Sequence, residues 1–283
     1  MKKAKRILVF AILAAMLLSL CGCGMFRTRV AKAAIKMSKL ESLHADVEMQ
    51  IGMGISVLGQ DVNADADVTG GVDIQRDPER VYVNMTAEVA GFEQNLLLYA
   101  VGRDGGADVY SSADGGESWT KGSIENDDSS KSSKADGKSL FLLLSDSAAS
   151  FKEYGKEKIN GSDAIRYKGE ITSDELKQAL ELANVRQSLE ESLDVELDDD
   201  VFADLGSVPV SIWIDVKSDM IVCVELDMSD VMQGLVPVLV DKSLEKVDIG
   251  IGVNTKVYDV TVSVTLSEFD AVQVTKPMTL NIG

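Results

Sequence analysis

From Leu43 onward, apolar and polar residues alternate with a period of two. Leu43, Ala45, Val47, Met49, Ile51, Met53, Ile55 and Val57 form one set; His44, Asp46, Glu48, Gln50, Gly52, Gly54 and Ser56 form the other. Successive side chains of a strand point to opposite faces, so this pattern predicts a single strand far longer than the usual five or six residues. A second strand follows Gly59, with Val62, Ala64, Ala66 and Val68 on its apolar side. Asp77-Pro78 marks a turn, and Val81, Val83, Met85, Ala87 and Val89 repeat the pattern. Gly91 leads into Asn95–Val101, apolar on both sides. Near the C-terminus the signature returns in Val247–Asn254 and again in Tyr258–Ser267, where Tyr258, Val260, Val262, Val264 and Leu266 form the apolar set. Ala164–Ile171, Val208–Val216 and Ile221–Met228 read as shorter strands.

Strands with one oily and one wet side belong to an antiparallel sheet whose oily face is covered by something else. The segments available are Arg27–Leu43, Ser139–Phe151, Asp174–Leu193 and Ser229–Leu244, all of helical character. Thr172 or Ser173 is placed to cap the third, with Glu175 in the reciprocal position. Ser229–Leu244 is apolar around Gly234 and Pro237, which suits either a lid or a buried kinked helix. Few helices against many long strands predict an α+β chain. A large antiparallel sheet of such strands must twist and curl, which predicts a half-open barrel covered on its concave face by a few helices. Gly122–Lys138 is polar and rich in Ser, Asp and Lys, and reads as a mobile loop at about 122–138.

The N-terminus carries a separate signal. Lys2, Lys3, Lys5 and Arg6 precede an apolar run from Ile7 to Leu20, broken only by Ser19, too short to span a bilayer but of the right length for the core of a signal peptide. Leu20-Cys21-Gly22-Cys23 follows. It resembles the lipobox of bacterial lipoproteins, with Leu three residues and Gly one residue before the acceptor Cys23; Cys21 fits less well because bulky Leu20 precedes it. That resemblance implies a signal peptide over 1–22 and acyl chains on Cys23, several chains together giving stable membrane anchoring. Loss of the four basic residues would take the formal charge from −18 to −22. The Arg27–Leu43 helix then presents Arg29, Lys32, Lys36 and Lys39 on one side, either a solvated face or one that meets anionic headgroups.

Composition excludes more than it proposes. With 28 Lys+Arg against 46 Asp+Glu, nucleic acid is not an expected partner. One His and three Cys leave little for a transition-metal site, and the mature chain would keep only Cys23 and Cys223, so no disulfide is expected within it. Cys223 reads as a small core residue. Aromatic residues make up 5% of the chain, thin for stacking platforms that hold sugars or bases. No nucleophile elbow, phosphate loop, dinucleotide fingerprint or zinc-protease motif occurs, and His44 beside Asp46 reads as an exposed hydrogen-bonding group. The chain is therefore expected not to be an enzyme, with no cofactor and no resident metal. Ser112-Ala-Asp114-Gly115-Gly116-Glu-Ser118-Trp119 resembles an Asp-box, whose physics is a tight hairpin. Asp61, Asp65 and Asp67 have loop-like spacing, but Ala66 stands where a calcium loop needs Gly. The acidic stretch Leu193–Leu205 reads as a connector, with a solvated charge run preferred over weak calcium binding.

Taken in order, the lipobox, a helix, the Ser42-Leu43-His44-Ala45-Asp46-Val47 strand, the Asp-box hairpin, Gly161-Ser162-Asp163-Ala164-Ile165, Trp213-Ile214-Asp215 and a closing strand before Pro277 resemble the extracytoplasmic lipoproteins of the LolA/LolB and LppX/LprG type. The likeness is one of pattern and order over most of the mature chain, taken as a single domain from 23 to 283. It implies a LolA-like curved sheet that holds acyl chains against its helices, and no shared catalytic residues. From the residues themselves, Met37, Met49, Ile51, Met53, Val83, Met85, Val262, Val264, Met232 and Leu235 are the candidates to line the space between sheet and helices, since small and flexible side chains make an adaptable apolar surface. Two readings stay open at this level. One is a membrane-anchored carrier of a lipid-like or apolar ligand; the other is a surface lipoprotein with a filled core that meets an envelope protein partner.

Overall fold

In the computed structural model, which describes residues 28–58, 60–125, 141, 144–145, 147–182, 185–186, 189–190, 195–202, 205–245 and 253–280, the chain is dominated by one antiparallel sheet. The strands are β1 (Ser42–Val57), β2 (Gln60–Asn63), β3 (Ala66–Arg76), β4 (Glu79–Val89), β5 (Phe92–Arg103), β6 (Gly106–Ser112), β7 (Thr120–Glu125), β8 (Lys152–Ile159), β9 (Ser162–Ile171), β10 (Val208–Asp215), β11 (Ile221–Asp227) and β12 (Val253–Ser267). Among the described residues, the continuous α-helices are α1 (Arg29–Met37), α2 (Ser173–Leu182) and α3 (Ser229–Glu245).

The spatial order is β7-β6-β5-β4-β3-β1-β12-β11-β10-β9-β8, with β2 a short addition beside the end of β1. The first and last strands thus meet in the middle, Val47 opposite Val264 and Met49 opposite Val262. One meander runs outward from β1 to the β7 edge, and the other runs inward from the β8 edge to β12. Among the described pairings β7 and β8 do not join, so the sheet stays open. This is the α+β architecture of a large, unclosed antiparallel sheet that the alternation predicts.

The main core lies where helices cover the sheet. Thr28 caps α1, its Oγ1 accepting from Ala31 N at 3.2 Å. Val30, Ala31, Ala33, Ala34 and Met37 form the buried stripe of α1, packed with Leu43, Ala45, Ile165, Val208, Val210, Ile212, Ile214 and Leu266. The helix expected over Arg27–Leu43 stops at Met37. Ser38 Oγ bonds back to Ile35 O, Arg76 N bonds to Glu41 O and Asp270 N to Ser42 O, which draws residues 41–43 into the sheet. Leu43 therefore serves as a strand residue. In the region expected to be helical from Ser139 to Phe151, the described residues 141 and 144–145 are helical, a 3-10 turn covers Ser147–Ser150, and β8 begins at Lys152. The helix expected over Asp174–Leu193 begins at Ser173 and is continuous to Leu182, with 185–186 and 189–190 also helical. Thr172 is its cap: Glu175 N donates to Thr172 Oγ1 at 3.4 Å, while Thr172 N donates back to Glu175 Oε2 at 2.8 Å.

The strand expected after Gly59 is two strands. Ala64 N bonds to Met53 O, and Asp65 Oδ1 accepts from Met53 N at 3.3 Å. The break at residues 64–65 coincides with the register shift between Gly52 and Met53. Asp61, Asp65 and Asp67 are thus strand and bulge residues, and no group of three or more metal-ligating side chains is assembled among the described residues. β7 claims residues 120–125, the first part of the polar loop expected at 122–138; residues 126–138, like the signal peptide and Cys23, lie outside the described residues.

The opposite face is not uniformly wet. Tyr82, Tyr99 and Tyr110 stand in one cross-strand row, and Val272, Val274 and Leu280 from the C-terminal segment pack over them. Val272 N donates to Ser42 Oγ, Val274 N to Gln75 Oε1, and Arg80 to Val274 O, which straps this segment across β1, β3 and β4. A smaller cluster of Ala164, Trp213 and Cys223 lies on the same side of the other wing. There Arg166 stacks on Trp213, 4.5 Å from the ring centroid.

Candidate functional site: the half-covered apolar face

The register places one continuous apolar field on the helix-bearing side of the sheet. Across β12, β1, β3, β4 and β5, Val264, Val47, Gly70, Met85 and Leu96 share a row, and Val262, Met49, Val68, Ala87 and Gln94 share the next. On β1, β3 and β4 the charged residues of this face, Arg76 and Glu79, stand opposite each other at the strand ends on the α1 side, so a ligand seated beyond them would meet side chains with nothing to offer but dispersion and area.

Cover over this field is uneven. At one end α1 buries Leu43 and Ala45, at 7% and 6% exposure. Beside β12, α3 packs over its outer half, and Val257 and Val260 are each only 2% exposed. Between these covers, Val47, Met49, Ile51, Met53, Val68, Val83, Met85, Leu98, Val262 and Val264 are half-buried. Eight of the ten candidate lining residues fall in or beside this band: Met49, Ile51, Met53, Val83, Met85, Val262 and Val264 on the sheet, and half-buried Met232 on α3. Leu235 is buried on α3, and Met37 is fully buried in the packed core at the α1 end.

Toward the far end the field opens. A cleft of about 480 Å³ is lined by Ala87, Val89, Phe92 and Gln94 together with the Ala113–Gly115 turn. A second of about 280 Å³, lined by Leu96, Ser111, Asp114, Ser118 and Thr120, lies on the other flank of that turn. The turn is the Asp-box hairpin. Ser112 Oγ bonds to Asp114 Oδ1 at 2.6 Å, Ser118 N and Oγ both donate to the Asp114 carboxylate, and Gly116 N donates to Ser112 Oγ. These hydroxyls, Ser112 first and then Ser118, hold the Asp114 carboxyl far below the usual carboxylate range. Trp119 donates to Thr279 Oγ1 on the C-terminal segment. The hairpin reading of this motif is what the geometry displays.

Sequence reasoning left several features unseen. His44 is held by two carboxylates, Asp73 as well as neighbouring Asp46, and Asp73 becomes its partner only through the β1–β3 register. Leu58, Val62 and Phe92, at the β1–β2 and β4–β5 tips, are 78%, 58% and 81% exposed. Cys223 is a buried free thiol whose pKa is pushed up by burial, as a core role requires.

No helix among the described residues is long and apolar enough to cross a membrane. A model for a family of unknown function, DUF6612, matches residues 28–162, a little under half of the chain. No curated protein matches in sequence. Among solved structures the chain is similar to lipoprotein LppX of Mycobacterium tuberculosis, with 14% identity and a TM-score of 0.44 over 87% of this chain and 96% of that one. It is also similar to LprF of Mycobacterium bovis, with 13% identity and a TM-score of 0.38 over 89% and 96%. A LolA superfamily protein of Nitrosomonas europaea matches at 8% identity and a TM-score of 0.17 over 87% and 94%.

Proposed function

We propose that this protein is an extracytoplasmic lipoprotein, anchored through Cys23, that shelters a lipid-like or apolar ligand on the half-covered part of its sheet and carries out no covalent chemistry. The observation that supports this reading most is the exposure gradient along β1. Leu43 and Ala45 are sealed by α1, whereas Val47, Met49, Ile51 and Met53, of the same alternating set, are left half-buried. A solid core would gain by closing such a band, since covering apolar surface stabilises by about 25 cal/mol per Å². A ligand with an acyl chain gains the same from being covered there. Flexible Met49, Met53 and Met85 suit a surface that adapts to chains of different shape.

A fluorescent fatty acid titrated against the purified protein tests the idea. Saturable binding that weakens at least tenfold in Met49→Glu and Met85→Glu supports it; equal binding by wild type and both variants, or none at all, contradicts it. The exposed Leu58, Val62 and Phe92 favour a second reading, contact of the hairpin tips with an envelope protein partner.

A further inference from the structure

The cationic face of α1 is built against the turn between β10 and β11. Arg29 pairs with Asp219 at 2.5 Å and donates to the carbonyl oxygens of Asp215 and Val216; Lys36 Nζ donates to Ser218 O at 2.6 Å. The turn is itself fixed from within, because Asp215 Oδ1 accepts from Lys217 N, Ser218 N and Ser218 Oγ. Between helix and turn lies a cleft of about 470 Å³, lined by Arg29, Lys32, Lys36 and Asp219. Lys32 and Lys39 are exposed and make no ion pair among the described residues. Such a fixed cationic cleft is unexpected on a chain of formal charge −18, whose general field repels anions.

We propose that this face seats on the anionic phospholipid headgroups of the membrane, with the cleft receiving a headgroup phosphodiester. The proposal rests on the anchored reading above. Four residues lie between Cys23 and Thr28, five steps of chain with a reach of at most roughly 18 Å, so an acylated Cys23 holds the first turn of α1 near the lipid surface. Headgroup charge is felt over a screening distance of about 8 Å, which a tether of this reach lets the positive face enter. The α1 end of the sheet then faces the membrane, and the hairpin tips bearing Leu58 and Phe92 point away from it. The anchor alone supplies no preferred orientation; the cationic face does.

The test uses the full-length lipoprotein on vesicles of phosphatidylcholine, with and without 30% phosphatidylglycerol. Flotation on neutral vesicles reports the anchor by itself, so failure of the anchored reading is seen separately. Acetylation of exposed lysines then reports the face: anionic vesicles protect Lys32 and Lys39 several-fold over neutral ones while leaving Lys256, at the far end of β12, unchanged, and high salt removes the protection. Lys32→Glu with Lys39→Glu abolishes the salt-sensitive part of flotation on anionic vesicles, about fivefold per charge, whereas Lys152→Glu with Lys256→Glu, the same change in net charge at the opposite end of the sheet, does not. Equal labelling of Lys32 and Lys39 on both kinds of vesicle, or equal losses from the two charge reversals, overturns the proposal.

Discussion

His44 Nδ1 lies 2.6 Å from Asp73 Oδ1, while its Nε2 lies 3.1 Å from Asp46 Oδ1, so both ring nitrogens face carboxylates across and along the strands. The hydrogen bond that the ring donates to Asp73 raises the imidazole pKa most, burial opposes it, and Asp46 adds to the rise. A folded-state pKa above the unfolded value of about 6.5 stabilises the fold fully below that value, and the contribution is lost as pH rises through the folded pKa. Urea unfolding followed from pH 5.5 upward will show wild type losing stability relative to His44→Gln as the imidazolium deprotonates. A constant difference between the two proteins over that range would contradict this account.

Gly70 makes the β3–β4 approach possible. A Cβ there would run into Asn84 O and come 2.7 Å from Met85 Cα, both backbone atoms that cannot step aside. Gly70→Ala will cost about 1–3 kcal/mol, as overpacking does. Gly115, at φ +72 in the Asp-box turn, has nothing within 4 Å of its virtual Cβ. Gly115→Ala will cost only the left-handed penalty, about 1–2 kcal/mol. Thermal unfolding of both variants orders them; Gly115→Ala as the costlier change would refute the steric argument.

Val274 and Leu280, 3% and 2% exposed, fasten the C-terminal segment onto the tyrosine row. Leu280→Ala will lower stability by about 2–5 kcal/mol, the range for a buried leucine. Amide exchange will quicken along β4 to β6 while β9 and β10 keep their protection. Uniform loosening of the whole sheet would show that this segment is not a local strap.

Much of this architecture is legible from the alternation, and the exceptions have physical causes. β1 is readable because one side is oily throughout. β8 is not, because its side chains are mostly exposed at the sheet edge and its sequence shows no two-residue alternation. The break between β2 and β3 hides because Val62, Ala64, Ala66 and Val68 alternate straight through it, and only the bonds from Met53 reveal it. Leu43 satisfies both a helical and a strand pattern, and the bonds at Glu41 and Ser42 decide between them. The candidate lining residues could be named from the sequence, but their cover could not, since Leu43 and Met49 obey the same pattern and differ only in what lies above them.

The Asp-box hairpin separates structural from ligand-related roles. Asp114→Ala removes the acceptor of both Ser118 bonds in an exposed turn. It will speed amide exchange at Gly116 and Ser118 and leave fatty-acid affinity within about twofold. A tenfold loss of affinity would place the carboxylate in the binding surface instead.

The central claim is that the band from Val47 to Met53 and across to Met85 is covered in the cell by something other than protein. Native mass spectrometry of the mature lipoprotein, purified without added lipid, measures this directly once the mass of the acyl anchor is subtracted. The account predicts an additional apolar molecule, released by organic extraction and reduced in occupancy in Met49→Glu and Met85→Glu. A protein that carries only its anchor, in wild type and variants alike, would contradict it.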